Sequence, residues 1–219
     1  MYQSPIVIER ALTENGELQL QRRGEDYEII FNGTFLMATY NGESEKLLVR
    51  WAIEKAVSPK WILIAGLGVG FSLAEAQKHK YIEKITVVEI EQKIIEWHRK
   101  YLSNFSEGAL SQSHVEVVQG DFIEWMKTSG EKYDVVCLDI DNGPDWVVLE
   151  NNKKLYSDNG LCSLLKVMNK GSAASFWSAS RSRCFETLLK RYFEGVCIKE
   201  VPHQKGEPDY IYLAYNPKL

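Results

Sequence analysis

The sequence predicts an α/β fold, with a mostly parallel seven-stranded sheet behind a small antiparallel N-terminal β lobe. Three observations predict it. The run Trp61-Ile62-Leu63-Ile64-Ala65 is apolar throughout, as a parallel strand buried on both faces must be, and it runs into Gly66-Leu67-Gly68-Val69-Gly70. From Lys60 onward, apolar runs of strand length alternate with stretches of helical spacing, which implies right-handed crossovers onto one sheet. Before Tyr40 no helical period occurs, only short β-like runs punctuated by two Asn-Gly pairs.

Ile6-Val7-Ile8 and Leu18-Gln19-Leu20 flank Asn15-Gly16, and Tyr27–Phe31 and Thr34–Ala38 flank Asn32-Gly33, so two hairpins are expected. They form the lobe, residues 1–42; the main domain is residues 43–219. Leu47, Leu48, Trp51, Ala52 and Ala56 give Glu45–Val57 helical spacing, which Ser58-Pro59 ends. Further helices are expected over Phe71–His79, Gln92–Leu102, Phe122–Thr128, Lys153–Asn169 and Arg181–Tyr192. Strands are expected over Trp61–Ala65, Ile85–Glu89, Val115–Val118, Asp134–Asp139, Ala173–Ser178, Val196–Val201 and Asp209–Ala214. The last two face each other across Pro202–Pro208 as a C-terminal antiparallel hairpin at the sheet edge.

At 219 residues the chain can bury one substantial core. The net charge of -4 shows no basic excess, which argues against nucleic acid as a partner. No apolar run approaches the roughly 20 residues that cross a bilayer, so no membrane partner is expected. Met1-Tyr2-Gln3-Ser4-Pro5 lacks the basic and apolar blocks of a secretory signal. Cys137, Cys162, Cys184 and Cys197 are scattered, with Cys137 inside a strand as a small hydrophobe, and the four histidines show no ligand spacing. No metal site is expected, and the compartment is expected to be the cytoplasm.

The chemistry sits at the strand ends. Gly66, Gly68 and Gly70 remove Cβ atoms where a strand turns into a helix, so backbone and ligand can approach closely. Glu89 closes the next strand 19 residues after Gly70, where an acid accepts hydrogen bonds from both ribose hydroxyls; the alternative is a solvated strand end. Asp121, after Gly120, can accept a hydrogen bond from an exocyclic amine such as adenine N6, with Phe122 and Ile123 flanking the ring, or can cap the following helix. The fourth strand ends in Asp139-Ile140-Asp141-Asn142-Gly143-Pro144. Asp139 and Asp141 can hold a cationic amine or take its proton, and mutual repulsion raises one pKa. Turn preference accounts for Asn142-Gly143-Pro144, but less well for an Asp that closes a run of Val, Val, Cys and Leu. Trp177 ends the fifth strand, as a pocket wall or as core. Arg181 and Arg183 open the next helix against its dipole, which hints at an anionic ligand or at solvent.

Four segments in order, Ile-Ala-Gly-Leu-Gly-Val-Gly, Val-Val-Glu-Ile, Gln-Gly-Asp-Phe and Tyr-Asp-Val-Val-Cys-Leu-Asp, resemble the spermidine synthase (polyamine aminopropyltransferase) branch of the class I S-adenosylmethionine-dependent methyltransferase superfamily. The resemblance covers roughly Phe31 to Ser178, about two thirds of the chain, and the stretch from Asp139 to Ser178 is similar to bacterial spermidine synthase-like proteins. It implies a Rossmann-like domain that binds S-adenosylmethionine or its decarboxylated form as co-substrate, without a metal. It further implies a transferase of polyamine biosynthesis with a small-molecule amine acceptor, and a homodimer formed through the N-terminal lobe. By position, Gly66, Gly68 and Gly70 would line the sulfonium tail, Glu89 would take the ribose, Asp121 the adenine, and Asp139 would deprotonate the attacking amine.

The departures concern the donor and the acceptor. The family's glycine motif carries an Asp, paired with the donor's free amine, where this chain has Val69. That charge-assisted hydrogen bond is typically worth about 1.5–3 kcal/mol. The family's Tyr-His/Gln-Glu motif becomes Glu43-Ser44-Glu45. An aminopropyltransferase would need another acid for the amine, for which Asp141 and Glu43 are the sequence candidates. The alternatives are a methyltransferase, which Val69 favours, and a catalytically inactive nucleoside-binding homologue. A dehydrogenase fits less well, because the turn is not G-x-G-x-x-G.

Overall fold

The computed structural model describes residues 4–203 and 206–219. The first three residues of the segment read for a secretory signal, and residues 204–205 of the last turn, lie outside the described residues.

β1 (Ile6–Leu12), β2 (Glu17–Arg23), β3 (Asp26–Phe31) and β4 (Thr34–Ala38) form an antiparallel sheet in sequence order. The two Asn-Gly pairs sit at the turns. Asn32 and Gly33 both take positive φ, 48° and 77°, which a two-residue turn between right-twisted strands requires. The Asn32 side chain also accepts the Glu17 N–H at 2.8 Å, tying the second hairpin to the first. Leu18, Leu20, Ile29 and Phe31 alternate onto one buried face.

The second sheet begins after α1 (Glu43–Lys55). Its strands are β5 (Trp61–Ala65), β6 (Lys84–Glu89), β7 (Val115–Gln119), β8 (Tyr133–Leu138), β9 (Met168–Ser178), β10 (Phe193–Val201) and β11 (Asp209–Pro217), in the spatial order β10-β11-β9-β8-β5-β6-β7. The strands from β7 to β9 run parallel, while β11 pairs antiparallel with both β9 and β10. The connecting helices are α2 (Phe71–Gln77), α3 (Gln92–Trp97), α4 (Phe122–Thr128), α5 (Asp158–Lys166) and α6 (Arg183–Tyr192). Ile62, Leu63, Ile64, Val135, Val136 and Cys137 are buried on both faces of the central strands, which explains the uninterrupted apolar runs. Burial pushes the Cys137 thiol up to about 12, as befits an inert hydrophobe. From β5 the chain crosses to β6 on one side and later returns to β8 on the other, so a crevice opens at the carboxyl end of β5.

Three expected helices are corrected. The one expected over Gln92–Leu102 is α-helical only to Trp97, then widens into a π turn over His98–Leu102. The wider turn lets Trp97, His98 and Leu102 all bury. The one expected over Lys153–Asn169 is a 3₁₀ stretch, Glu150–Tyr156, followed by α5, whose amides Ser157 caps through Gly160 N at 3.2 Å. The next strand starts at Met168 rather than Ala173. α6 starts at Arg183 behind a Ser182 cap, and Arg181 pairs with Glu186 at 2.7 Å, so its charge is answered within the chain rather than by an anionic ligand.

Candidate active site

The crevice at the end of β5 is a cavity. Its floor is the β5–α2 turn and the ends of β6 to β9, and its roof is the buried face of the N-terminal sheet with the start of α1. The turn needs its glycines for close approach. Gly66 has φ +90°, and a Cβ there would collide with the carbonyl oxygen of Asp139. Gly68, at φ +51°, leaves room for the Met37 thioether, whose sulfur accepts the Val69 N–H at 3.2 Å. Gly66 and Gly68 line the cavity. Gly70 does not, which corrects the expectation for it: a Cβ there would strike the ring of His98, so this glycine serves packing behind the turn. His98 is fully buried, and desolvation lowers its pKa to about 4, so the imidazole is neutral.

Glu89 ends β6 at the cavity edge. Its two carboxylate oxygens accept the Leu67 and Glu91 N–H groups at 2.8 Å each, which ties the glycine turn to the end of β6. Burial pushes its carboxyl up despite these bonds. Asp121 also lines the cavity, beside Phe122, and it caps α4 by accepting from Ile123 N at 2.7 Å. The capping reading of Asp121 is met, and Asn151 Nδ2 reaches its other oxygen at 2.6 Å. Asp121→Ala is expected to cost about 1 kcal/mol of stability through the lost cap, read by urea denaturation. Unchanged stability would refute the capping role.

Asp141 lines the cavity, yet it serves the loop that follows β8. Its carboxylate accepts from Asn142 N at 2.8 Å, from Val148 N, from Leu149 N at 3.4 Å and from Asn152 Nδ2 at 2.6 Å. That set leaves it little capacity to hold an amine, so here it acts as the hub that pins the loop. Trp177 lines the same cavity from β9.

Asp139 is different. Its carboxyl takes no hydrogen bond from the described residues, and the residue lines the cavity. Burial, and then the charges of Glu45, Asp209 and Glu89, hold it well above the ordinary carboxylate range. Glu45 reaches the cavity from the first turn of α1, and burial followed by the Asp209 charge raises its carboxyl too. Ser44 Oγ lies 2.8 Å from Glu45 Oε2 and 2.7 Å from Asp209 Oδ2, and accepts the Trp177 indole N–H at 3.1 Å. Asp209 pairs with His203 Nε2 at 2.9 Å.

Sequence reasoning missed Glu45, Asp209 and Met37. A signal for Glu45 existed: it shares an i, i+3, i+4, i+7 face with Leu48, Val49 and Ala52, all buried. An acid on the apolar face of a helix needs a reason. In all, Glu45, Glu89, Glu91, Asp121, Asp139 and Asp141 line the cavity, and no Lys, Arg or His does among the described residues. No cluster of His, Cys, Asp and Glu among the described residues is arranged to hold a metal.

A family model for the spermine/spermidine synthase domain matches residues 43–175. The polyamine aminopropyltransferase of Saccharolobus solfataricus is 31% identical over 156 residues, which are 71% of this chain and 50% of that protein. The one from Thermococcus onnurineus is 31% identical over 141 residues, 61% of this chain and 50% of that one. The chain thus spans about half the length of the curated relatives it matches. Among solved structures, a spermidine synthase in complex with the transition state analogue AdoDATO superposes with a TM-score of 0.81 at 18% identity, over 96% of this chain and 73% of that one. The spermidine synthase from Thermotoga maritima gives 0.79 at 17% identity, over 96% and 72%. These two establish the fold as class I methyltransferase-like.

Proposed function

The chain belongs to the spermine/spermidine synthase family, and on that premise we propose that it is an aminopropyltransferase acting from decarboxylated S-adenosylmethionine onto a small amine. One observation carries the choice of donor: six carboxylates, and no cationic side chain among the described residues, line the cavity. A decarboxylated donor brings an ammonium and a sulfonium into that field and no anion. S-adenosylmethionine itself would bring a carboxylate with no cationic side chain of the described residues lining the cavity to meet it, at a cost in a poorly solvated site.

In this reading Glu89 receives the ribose hydroxyls, Asp121 and Phe122 take the adenine, and the backbone at Gly66 and Gly68 lies along the sulfonium tail. Asp139 accepts a proton from the acceptor's ammonium, and Trp177 walls the acceptor's approach. The freed amine then attacks the carbon next to sulfur. A C–N bond forms, the C–S bond breaks, and the electron pair returns to sulfur, leaving neutral methylthioadenosine. Such a displacement needs alignment and a neutral nucleophile above all. The described part of residues 1–42 forms the lobe that roofs this site, and the described part of residues 43–219 the domain that carries it.

Calorimetric titration tests the donor. The decarboxylated donor is expected to bind at least about tenfold more tightly than S-adenosylmethionine, the equivalent of one charge-assisted contact. Preference for the carboxylated donor would overturn aminopropyl transfer in favour of methyl transfer. Failure of both donors and of methylthioadenosine to bind folded protein would overturn the nucleoside site.

A further inference from the structure

The donor proposed above ends in a primary ammonium, and the cavity must supply an acid for it. The side chain of residue 69 cannot contribute, because Val69 is 1% exposed and packs in the core behind the turn. Neither sequence candidate serves. Asp141 is saturated by its own loop, and the exposed Glu43 carboxylate pairs with Lys46 outside the cavity wall.

The remaining acids sort by what they already hold. Glu89 holds the Leu67 and Glu91 amides, Asp121 holds the α4 cap and Asn151, and Glu91 accepts Asn15 Nδ2 at 2.8 Å and Thr13 Oγ1 at 3.2 Å. Two lining carboxylates are left with spare capacity, Asp139 and Glu45. The proposed chemistry needs two: one to take a proton from the acceptor, one to hold the donor's ammonium.

We propose that Glu45 anchors the terminal ammonium of the donor's aminopropyl arm, supplying from α1 the carboxylate that the glycine turn lacks at Val69. The proposal rests on the donor assignment made above. The surroundings suit it. Ser44 Oγ, with one proton to donate, sits between Glu45 Oε2 and Asp209 Oδ2, and the other Glu45 oxygen has no side-chain partner among the described residues. Leu36 and Met37 give the roof an apolar wall that suits a methylene arm. A buried acid beside two others is costly when empty, and an ammonium relieves that cost. Glu45 is thus a specificity residue for the donor, with Asp139 left for the proton.

The test compares two ligands that differ only in the arm. Methylthioadenosine shares adenosine and sulfur with the decarboxylated donor but has no aminopropyl group. In Glu45→Gln, the decarboxylated donor is expected to bind about tenfold or more weakly, while methylthioadenosine stays within about twofold of the parent protein. Glu45→Asp should recover part of the difference. Gln keeps the shape and the Ser44 contact while removing a poorly solvated charge, so the variant is expected to fold, which its thermal unfolding verifies. As a second variant, Asp139→Asn should keep the preference for the decarboxylated donor over methylthioadenosine. Equal weakening of both ligands in Glu45→Gln, or loss of the preference in Asp139→Asn instead, overturns the anchor while leaving the nucleoside site standing. Failure of the parent protein to bind either ligand would instead remove the donor assignment beneath it.

Discussion

Asp139→Asn is expected to lower kcat for amine transfer by about 10²- to 10⁴-fold, the usual contribution of a positioned base, while donor binding changes only a few-fold. The substitution keeps size and removes the capacity to accept a proton, together with the carboxylate charge. Asp139 is the group to test because its oxygens hold no donor among the described residues, whereas the Asp141 carboxylate is filled by four. Transfer assays with a di- or polyamine acceptor, run at saturating donor, read the effect. Retention of more than about a tenth of kcat would be too much for a residue that supplies general-base catalysis, and would remove Asp139 from that role.

The same carboxylate fixes a pH dependence. Burial, Glu45, Asp209 and Glu89 all push its pKa upward, so the base form appears only as pH rises past the ordinary aspartate range. The acid limb of the kcat profile should therefore lie above that range and vanish in Asp139→Asn. For stability the sign is opposite. A folded-state pKa above the unfolded one means that the contribution is fully present below the unfolded pKa and is lost as pH rises through the folded pKa. At neutral pH the parent protein carries this penalty and Asp139→Asn does not, so the inactive variant should melt at a higher temperature. That combination, less activity with more stability, is characteristic of a residue held for function.

The framework was legible because it is local. An apolar run with glycines at alternate positions marks β5 and its turn, and two Asn-Gly pairs with alternating neighbours mark the two hairpins. Glu89, Asp121 and Asp139 were legible for a related reason. Each ends a parallel strand, and the fold gathers those ends in one crevice. What escaped was set by contacts far apart in sequence. Glu45 and Asp209 meet through Ser44 of α1, whose contact with Asp209 of β11 joins residues 165 apart in the chain. The π turn at His98 has no Pro or Gly to announce it, and it begins at a ring packed behind Gly70. Gly70 itself looked like the third ligand-facing glycine because spacing along the chain does not say which side of the turn a missing Cβ faces.

Gly66→Ala is expected to abolish nucleoside binding and to destabilise the fold by more than backbone strain alone. Two effects stack at this position. A φ of +90° is costly for any residue with a Cβ, by about 1–3 kcal/mol. The new methyl would also collide with the Asp139 carbonyl oxygen, which belongs to backbone and cannot swing away. Relief requires the exits of β5 and β8 to separate, and these are joined by the Asp139 N–H to Ala65 carbonyl bond at 3.0 Å. Gly33 isolates the first effect. It has φ +77°, but a Cβ there meets nothing within 4 Å, so Gly33→Ala should cost only the strain, about 1–2 kcal/mol, and leave ligand binding intact. Denaturation midpoints and methylthioadenosine titrations of the two variants separate the effects. If Gly66→Ala were no less stable than Gly33→Ala and still bound methylthioadenosine, the close approach of the two strand exits would not be what positions Asp139. If it is worse on both counts, a single missing methyl holds the nucleoside turn and the proposed base in register.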